Sequence, residues 1–405
     1  MPPQRLNLFA ARLCALATMW AHFAFAEREQ LILFNLLGNS HSNDFTQISR
    51  EFKPTPGASV RVGVSAIFSY LRQPREQSVE DLRQFLRRAQ ETDTPVVVQL
   101  DGENWWDARP DLWNWWDPAR PGYSPKNRAN VEWTGWSADN AIKIAWRNWG
   151  QQIRVLPPPN LMSPRYRAAC HEEIRVLIPI VLEWWRALPA KKKKLLVGLK
   201  LGHESSIGVN AWYYPEGNRL LDRPASEDPI TGFKPDEPPA RGVAQIGYAA
   251  VKTAGLREAG RLTEADLAEV VRRHVEDLCR LAAELGVPRD KLFTHVGGWK
   301  DNELLYEAAL NDFSCPGWSF YKYAADPEKD AGVQQALKRS TAPYWAAVEW
   351  LYQGSPDTDR WRQAITATLS SPRCRYLCIF NFDPLGKSEA VLRAVREVSQ
   401  KSPNP

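Results

Sequence analysis

Residues 195–206 read LLVGLKLGHESS, and this stretch decides which fold the rest of the sequence predicts. Its first seven residues are almost all apolar, which is typical of a parallel strand that is buried on both faces. An amphipathic helical pattern precedes it at 163–188, and another follows at 264–285. Strands that alternate with helices indicate βα units and a parallel sheet rather than an antiparallel one.

Seven further apolar runs repeat this alternation along the chain. Together with 195–201, the predicted strands are 31–37, 60–68, 95–100, 291–296, 317–323, 345–351 and 375–382. The predicted helices are 79–89, 163–188, 264–285, 301–310, 332–340, 359–369 and 389–399. Eight βα units favour closure into an α/β fold of the (β/α)8 TIM-barrel type over an open doubly wound sheet, and the G-x-G-x-x-G motif of dinucleotide-binding sheets is absent.

Two long insertions interrupt the alternation, at about 101–159 after the third strand and about 205–262 after the fourth. Both follow the carboxyl end of a strand, which is the active face of a (β/α)8 barrel. The first insertion contains nine of the chain's 18 tryptophans. Indole rings offer flat apolar faces, which suit sugar rings as well as a protein core. We therefore expect this insertion to form substrate-binding surface.

The first 26 residues have the pattern of a secretory signal peptide. Arg5 and Arg12 precede an apolar stretch at 13–25, and Ala24 and Ala26 have the spacing of a cleavage site. Cleavage after Ala26 leaves one catalytic domain, 27–405, in a secreted or periplasmic protein. The apolar stretch is too short to favour a membrane span, so we expect no membrane partner in the mature form, with an uncleaved anchor as the alternative.

Several classes of site are not indicated by the sequence. Five cysteines follow the signal peptide, and five cannot all pair, so the chain is not a disulfide scaffold. It has no H-x-H or H-E-x-x-H motif and no close Cys/His cluster, so we expect no metal and no cofactor. The formal charge is +5 and the basic run 191–194 is short, which argues against a nucleic-acid partner.

Two glutamates lie where the active face of the barrel is expected. Glu204 follows the fourth predicted strand, and Glu349 lies near the end of the seventh, in WAAVEW at 345–350. Cleavage of a glycosidic bond needs one carboxyl that protonates the leaving oxygen and a second that attacks the anomeric carbon or activates water. Since strands four and seven are not adjacent, the sequence predicts two carboxyls that face each other across the barrel mouth.

In these two motifs the chain resembles the clan A glycoside hydrolases, (β/α)8 barrels with an acid/base glutamate after strand four and a nucleophile glutamate after strand seven. The resemblance implies a hydrolase of oligo- or polysaccharides that retains the anomeric configuration, with Glu204 as acid/base and Glu349 as nucleophile. His203 stands where the clan usually has asparagine. Inverting barrels of the β-amylase type, which also place carboxylates after strands four and seven, and a non-catalytic carbohydrate-binding barrel remain alternatives.

Other polar and aromatic residues near strand ends are candidates for sugar binding, because such sites combine hydrogen-bonding groups with stacking faces. Carbohydrate is the one partner that the sequence predicts. The candidate substrate-binding residues are Asn39, His41, Asp101, Glu103, Asn104, Trp105, Trp106, His203, Trp212, His295, Trp299, Tyr321, Trp350 and Asn381.

Overall fold

A computed structural model describes residues 29–37, 42–53, 56–148, 152–208, 211–212, 245–297, 304–386 and 388–400. Eight parallel strands close into a barrel in chain order, and the last pairs with the first, so the predicted (β/α)8 TIM barrel is confirmed. The strands are β1 Gln30–Leu36, β2 Val60–Ser69, β3 Val96–Asp101, β4 Leu196–Ser205, β5 Leu292–Val296, β6 Gly317–Phe320, β7 Trp345–Trp350 and β8 Cys374–Ile379.

Helices on the outside of the barrel connect the strands. They are α1 Ser42–Glu51, α2 Arg75–Thr92, α3 Pro164–Ala187, α4 Glu264–Glu284, α5 Ala331–Arg339, α6 Thr358–Ser370 and α7 Glu389–Ser399. The sequence predicts no helix between β1 and β2, where α1 lies. Conversely, the helix predicted at 301–310 is a 3-10 helix at Leu304–Ala309 in the described part of that segment.

Two strand ends differ from the prediction in a way that affects the mouth of the barrel. β4 continues to Ser205, so His203 and Glu204 belong to the strand rather than to the loop after it. Its register against β5 shifts between Leu201 and Ser205, so the end of β4 is irregular. β6 instead ends at Phe320, which leaves Tyr321 in the following loop.

The two insertions are joined by a small antiparallel sheet outside the barrel. A hairpin of the first insertion, Ala145–Asn148 and Gln152–Val155, pairs with Ala211–Trp212 of the second. Elsewhere the first insertion packs into the main core through buried indoles such as Trp115 and Trp133. It is therefore a folded part of the barrel domain.

The inside of the barrel is apolar below and polar above, toward the carboxyl ends of the strands. Leu33, Val97 and Phe293 belong to the apolar cluster. Two residues further along the same strands stand the buried polar residues Asn35, Gln99 and His295. Side chains two apart on a strand share a face, so the polar residues form the floor of the mouth. No helix in the described ranges is long and apolar enough to cross a membrane.

Candidate active site

Glu204 owes its position to an irregular end of β4. Its backbone is in the left-handed region, with φ of 53°, and Gly202 before it has φ of 78°. A Cβ added at Gly202 would lie 2.3 Å from the Ser205 hydroxyl oxygen, so this turn requires glycine. A glutamate held at positive φ is uncommon and is typical of functional sites. Glu204 is 6% exposed.

Glu349 lies at the end of β7, where the register against β6 shifts between Ala347 and Glu349. The residue is also 6% exposed. The Tyr321 hydroxyl donates a hydrogen bond to Glu349 Oε1. Glu349 Oε2 has no hydrogen-bond partner among the described residues, although His295 Nε2 lies 3.8 Å away. The carboxyl is therefore only partly satisfied.

A buried lysine lies beneath the two histidines of the site. Lys200 is fully buried, and its ammonium donates to His203 Nδ1 at 3.0 Å and to His295 Nδ1 at 2.7 Å. A ring nitrogen that accepts a hydrogen bond carries no proton, so in both neutral imidazoles the proton is on Nε2. His295 Nε2 uses this proton to donate to Ser319 Oγ at 2.8 Å. Lys200 thus determines the tautomer of both rings.

Burial and charge shift the pKa values of this cluster. Burial raises the pKa of Glu349 well above its usual value, the negative charge of Glu204 raises it further, and Lys200 opposes both. Burial also lowers the pKa of Lys200 to about 8, with Glu349 acting against this change. Burial and the Lys200 charge keep the pKa of His295 well below its usual value. At neutral pH the site therefore contains an ammonium, a neutral His295 and two interacting carboxyls.

The polar residues after β3 are largely used to hold their own turn. Asp101 Oδ1 accepts from the backbone N–H groups of Glu103 and Asn104, and Asp101 Oδ2 accepts from Ser69 Oγ at 3.1 Å. The Asn104 amide donates to the His203 carbonyl oxygen at 3.0 Å, which ties this turn to the end of β4. These contacts place the predicted β3 residues beside Glu204.

Glu103 faces the irregular end of β4. Its Oε1 accepts from Ser205 Oγ at 2.6 Å and from His274 Nε2 at 3.2 Å. Both donors are completely buried. Glu103 therefore braces β4 against helix α4.

The predicted tryptophans differ in the surface that they offer. Trp106 is 1% exposed, and its indole N–H donates to the Pro157 carbonyl oxygen. Trp350 is completely buried on the outer side of β7 and donates to Thr368 Oγ1. Neither indole has an exposed face for a sugar ring. Trp105 is only partly buried, and the Arg72 guanidinium lies 4.8 Å from its ring centre.

Some of the remaining predicted substrate-binding residues lie at the mouth of the barrel, and others lie outside the described residues. Asn381 follows β8 and accepts a hydrogen bond from Asn35 at 2.6 Å, which places it at the mouth. His203 lies against Phe380, with ring centres 6.1 Å apart. The backbone of Trp212 forms part of the small sheet. The residues outside the described ranges are Asn39, His41, Trp299 and those of the predicted signal peptide, 1–26.

Three buried polar residues of the site were not predicted from the sequence. Lys200 stands in an apolar run and Asn35 in another, and a single polar residue within such a strand is the signal that could have identified them. Glu132 lies in the first insertion, is 1% exposed, and lines a small cavity that Glu103 and Glu204 also line. No local sequence pattern marks Glu132, because its burial depends on how the insertion packs.

Among the described residues, one group has the composition of a metal site. His203, His295 and Glu349 each offer a ligand atom, and these atoms lie within 4.8 Å of one another. The Lys200 ammonium, however, donates to both imidazoles. Its positive charge opposes a divalent cation in the same place. The cluster is suited instead to proton transfer and to stabilising negative charge.

No protein-family model matches the chain, and no curated protein matches it. Solved structures with a similar fold include a family 5 broad-specificity endoglucanase from an uncultured bacterium, with 8% identity and a TM-score of 0.42 over 89% of this chain and 85% of that one. Another is the catalytic domain of a Bacillus family 26 endo-β-1,4-mannanase, with 12% identity and a TM-score of 0.43 over 92% and 86%. A family 5 glycoside hydrolase from Prevotella bryantii has 9% identity and a TM-score of 0.42 over 92% and 96%.

Proposed function

We propose that this protein is a glycoside hydrolase that cleaves oligo- or polysaccharides with retention of configuration. One observation carries the proposal: Glu204 and Glu349 are both buried at the carboxyl ends of β4 and β7, and the charge of one raises the pKa of the other. Two interacting carboxyls that cannot easily both ionise are what glycosidic bond cleavage requires. The active face of a (β/α)8 barrel is where such a pair is expected.

In the proposed reaction the carboxyl pair begins with one shared proton. Burial and the Glu204 charge favour the proton on Glu349 in the resting pair. The productive form has the proton on Glu204 instead, and the Tyr321 hydroxyl and the Lys200 charge favour this form because both stabilise a negative charge on Glu349. Glu349 attacks the anomeric carbon while Glu204 gives its proton to the leaving oxygen, and the glycosidic bond breaks. Glu204 then takes a proton from water, whose oxygen displaces Glu349 and releases the sugar.

His203 orients the substrate in this proposal. Lys200 holds the Nδ1 atoms of His203 and His295, so both rings carry their proton on Nε2, which can donate but cannot accept. The His295 Nε2–H already donates to Ser319 Oγ. His203 occupies the position before the acid/base, so we assign its Nε2–H to a hydroxyl of the sugar in the reacting subsite. Trp105, Asn104 and Asn381 are proposed as further contacts with the substrate.

The activity is tested with purified protein on a panel of β-glucans, β-mannans, xylans and algal polysaccharides, and the release of reducing ends is measured. Proton NMR of the first product then reports the anomer. We expect hydrolysis of at least one polymer, with the configuration of the substrate retained in the initial product. Inversion would favour the β-amylase-type alternative. Binding of a polymer without hydrolysis would favour the non-catalytic barrel.

We also propose that the protein is exported, with residues 1–26 removed and 27–405 forming one catalytic domain. The N-terminal sequence supports this through its paired arginines, apolar stretch and Ala24-x-Ala26 spacing. Expression of the full chain in a secreting host, followed by mass spectrometry of the mature N-terminus, tests it. We expect a chain that begins at Glu27, and retention of the full-length chain at the membrane would contradict cleavage.

A further inference from the structure

Glu132 is a buried carboxyl that the proposed mechanism does not yet use. Its backbone is fixed on both sides: the Glu132 N–H donates to the Pro158 carbonyl oxygen at 3.0 Å, and the Ile142 N–H donates to the Glu132 carbonyl oxygen at 3.1 Å. The side chain therefore enters the protein from a rigid part of the first insertion.

The two carboxyl oxygens of Glu132 have different surroundings. Oε2 accepts from the Trp133 N–H at 3.3 Å. Oε1 is buried and makes no hydrogen bond of normal geometry among the described residues, although the backbone N–H groups of Gly247, Ala249 and Ala250 are near enough to the carboxyl to act on its charge. A buried polar atom without a partner costs free energy, and in proteins such atoms are usually satisfied by ordered water.

A cavity that can hold such a water lies next to the Glu132 carboxyl group. Glu132, Glu103, Asn104 and Glu204 line one cavity of about 30 Å³. A volume of roughly 10–15 Å³ on this scale is enough for one water molecule. The cavity is thus large enough for water and has several polar groups to bind it.

We propose that Glu132 is a positioning residue of the active site, which holds a water molecule in this cavity and through it supports Glu204 when Glu204 loses its proton. The inference rests on the proposed function, since it assigns Glu204 the role of acid. The hydrogen bonds run from the Glu132 hydroxyl to the water and from the water to the Glu204 carboxylate. Glu132 keeps its own proton throughout, and the proton that Glu204 loses goes to the leaving oxygen.

The protonation of Glu132 agrees with this direction of donation. Burial raises the pKa of Glu132 to about 8. The backbone N–H groups of Trp133, Ala249 and Ala250 favour the charged form and lower the pKa, but their effect is smaller than that of burial. At neutral pH the side chain is therefore mostly the neutral acid. A neutral acid can donate a hydrogen bond, whereas a carboxylate can only accept one.

The kinetic test compares Glu132→Leu and Glu132→Gln with the unmodified protein on two kinds of substrate. An unactivated glycoside needs acid help to release its leaving group, and an activated aryl glycoside needs little. We expect Glu132→Leu to lower kcat about tenfold on the unactivated glycoside and less than threefold on the aryl glycoside, in line with the modest net contribution of one hydrogen bond. Glu132→Gln should restore most of the difference, since an amide can still donate to the water.

Glu173→Leu is the matched control, because Glu173 is a buried carboxylate on α3 that pairs with Arg75 at 2.7 Å. It should leave the ratio of the two rates unchanged. Equal loss on both substrates in Glu132→Leu, with a lowered melting temperature, would show that Glu132 serves only packing and would overturn the inference. Unchanged kinetics in Glu132→Leu would overturn it as well.

A crystal structure of the unmodified protein tests the water independently of activity. We expect an ordered water within hydrogen-bond distance of Glu132 Oε1 and of a Glu204 carboxyl oxygen. A dry cavity would overturn the inference even if the protein is an active hydrolase. Conversely, a protein with the water but without any glycosidase activity would contradict the proposed function.

Discussion

Two sides of the barrel mouth both contain buried carboxyls, but the two sides differ in how many hydrogen bonds the carboxyl oxygens accept. On the β3 side, formed by Asp101, Glu103 and Asn104, Glu103 Oε1 accepts two hydrogen bonds from buried donors. On the β4–β7 side, formed by Lys200, Glu204 and Glu349, Glu349 Oε2 has no hydrogen-bond partner within the described residues. The comparison indicates that a carboxyl held by buried donors stabilises the fold, whereas a carboxyl with one unbonded oxygen beside a like charge is available for chemistry.

The largest expected effect is on kcat, which should fall far more when a carboxyl of the β4–β7 side is replaced than when one of the β3 side is replaced. Glu204→Gln or Glu349→Gln should lower kcat on unactivated glycosides at least about a thousandfold, because each removes a group that acts in the transition state. Glu103→Gln is the matched control and should lower kcat less than about tenfold, since an amide keeps an acceptor for Ser205. Initial rates and melting temperatures of the three variants decide the point. Should Glu103→Gln prove as damaging as Glu204→Gln, the acid would lie on the β3 side.

The next effect concerns Lys200 and pH. A cation beside a carboxyl lowers its pKa, so replacing Lys200 by Met removes a positive charge that opposes the raised pKa of Glu349. The acid limb of kcat/KM, where rate is lost as the carboxyl pair takes up its last proton, should therefore move to higher pH by about one unit. Loss of the shared hydrogen bonds to the histidines should also lower kcat about tenfold or more.

The pH profile of Lys200→Met is measured together with that of a control variant, Lys252→Met. Lys252 lies on the short helix Tyr248–Thr253, and its ammonium donates to the Trp136 carbonyl oxygen. That control should leave the acid limb in place. An acid limb that stays fixed in Lys200→Met, or moves to lower pH, would show that Lys200 does not favour the charge on Glu349.

A smaller effect separates the two sides by stability. Glu103→Ala leaves the buried Ser205 hydroxyl and His274 Nε2 without their acceptor, which should cost about 1–3 kcal/mol of the free energy of unfolding. Glu349→Ala removes a buried carboxyl whose Oε2 has no hydrogen-bond partner among the described residues and which lies beside the like charge of Glu204, so it should leave that free energy unchanged or raise it. Urea unfolding of both variants tests this. Equal destabilisation would remove the distinction between a structural and a reactive carboxyl.

Much of the fold and part of the site could be predicted from the sequence. Buried parallel strands are continuous apolar runs, so all eight were located from local pattern alone. The barrel topology then implies that strand ends far apart in sequence share one mouth. This is why Glu204, His295, Tyr321 and Glu349 could be named as neighbours before their contacts were known.

The unpredicted residues depend on details that a local pattern does not contain. Lys200 is buried against two histidines because β4 becomes irregular just beyond it, and one lysine in an apolar run does not reveal which way it faces. Glu132 lies within the first insertion, and its burial depends on how that insertion packs. The tryptophans show the same limit: composition indicates a binding surface, but packing decides which indoles remain accessible.

The smallest expected effect tests that last distinction between the adjacent tryptophans on the β3 side. Trp105 is partly buried beneath the Arg72 guanidinium, whereas Trp106 is 1% exposed. Trp105→Ala should raise KM about three- to tenfold with little change in melting temperature, since one aromatic stacking contact contributes about 0.5–1.5 kcal/mol. Trp106→Phe should do the reverse, because it removes the indole N–H bond to Pro157 and some packing but touches no sugar. If both variants changed only the melting temperature, the whole β3 side would be structural, and substrate recognition would lie with His203, Asn381 and the β4–β7 side.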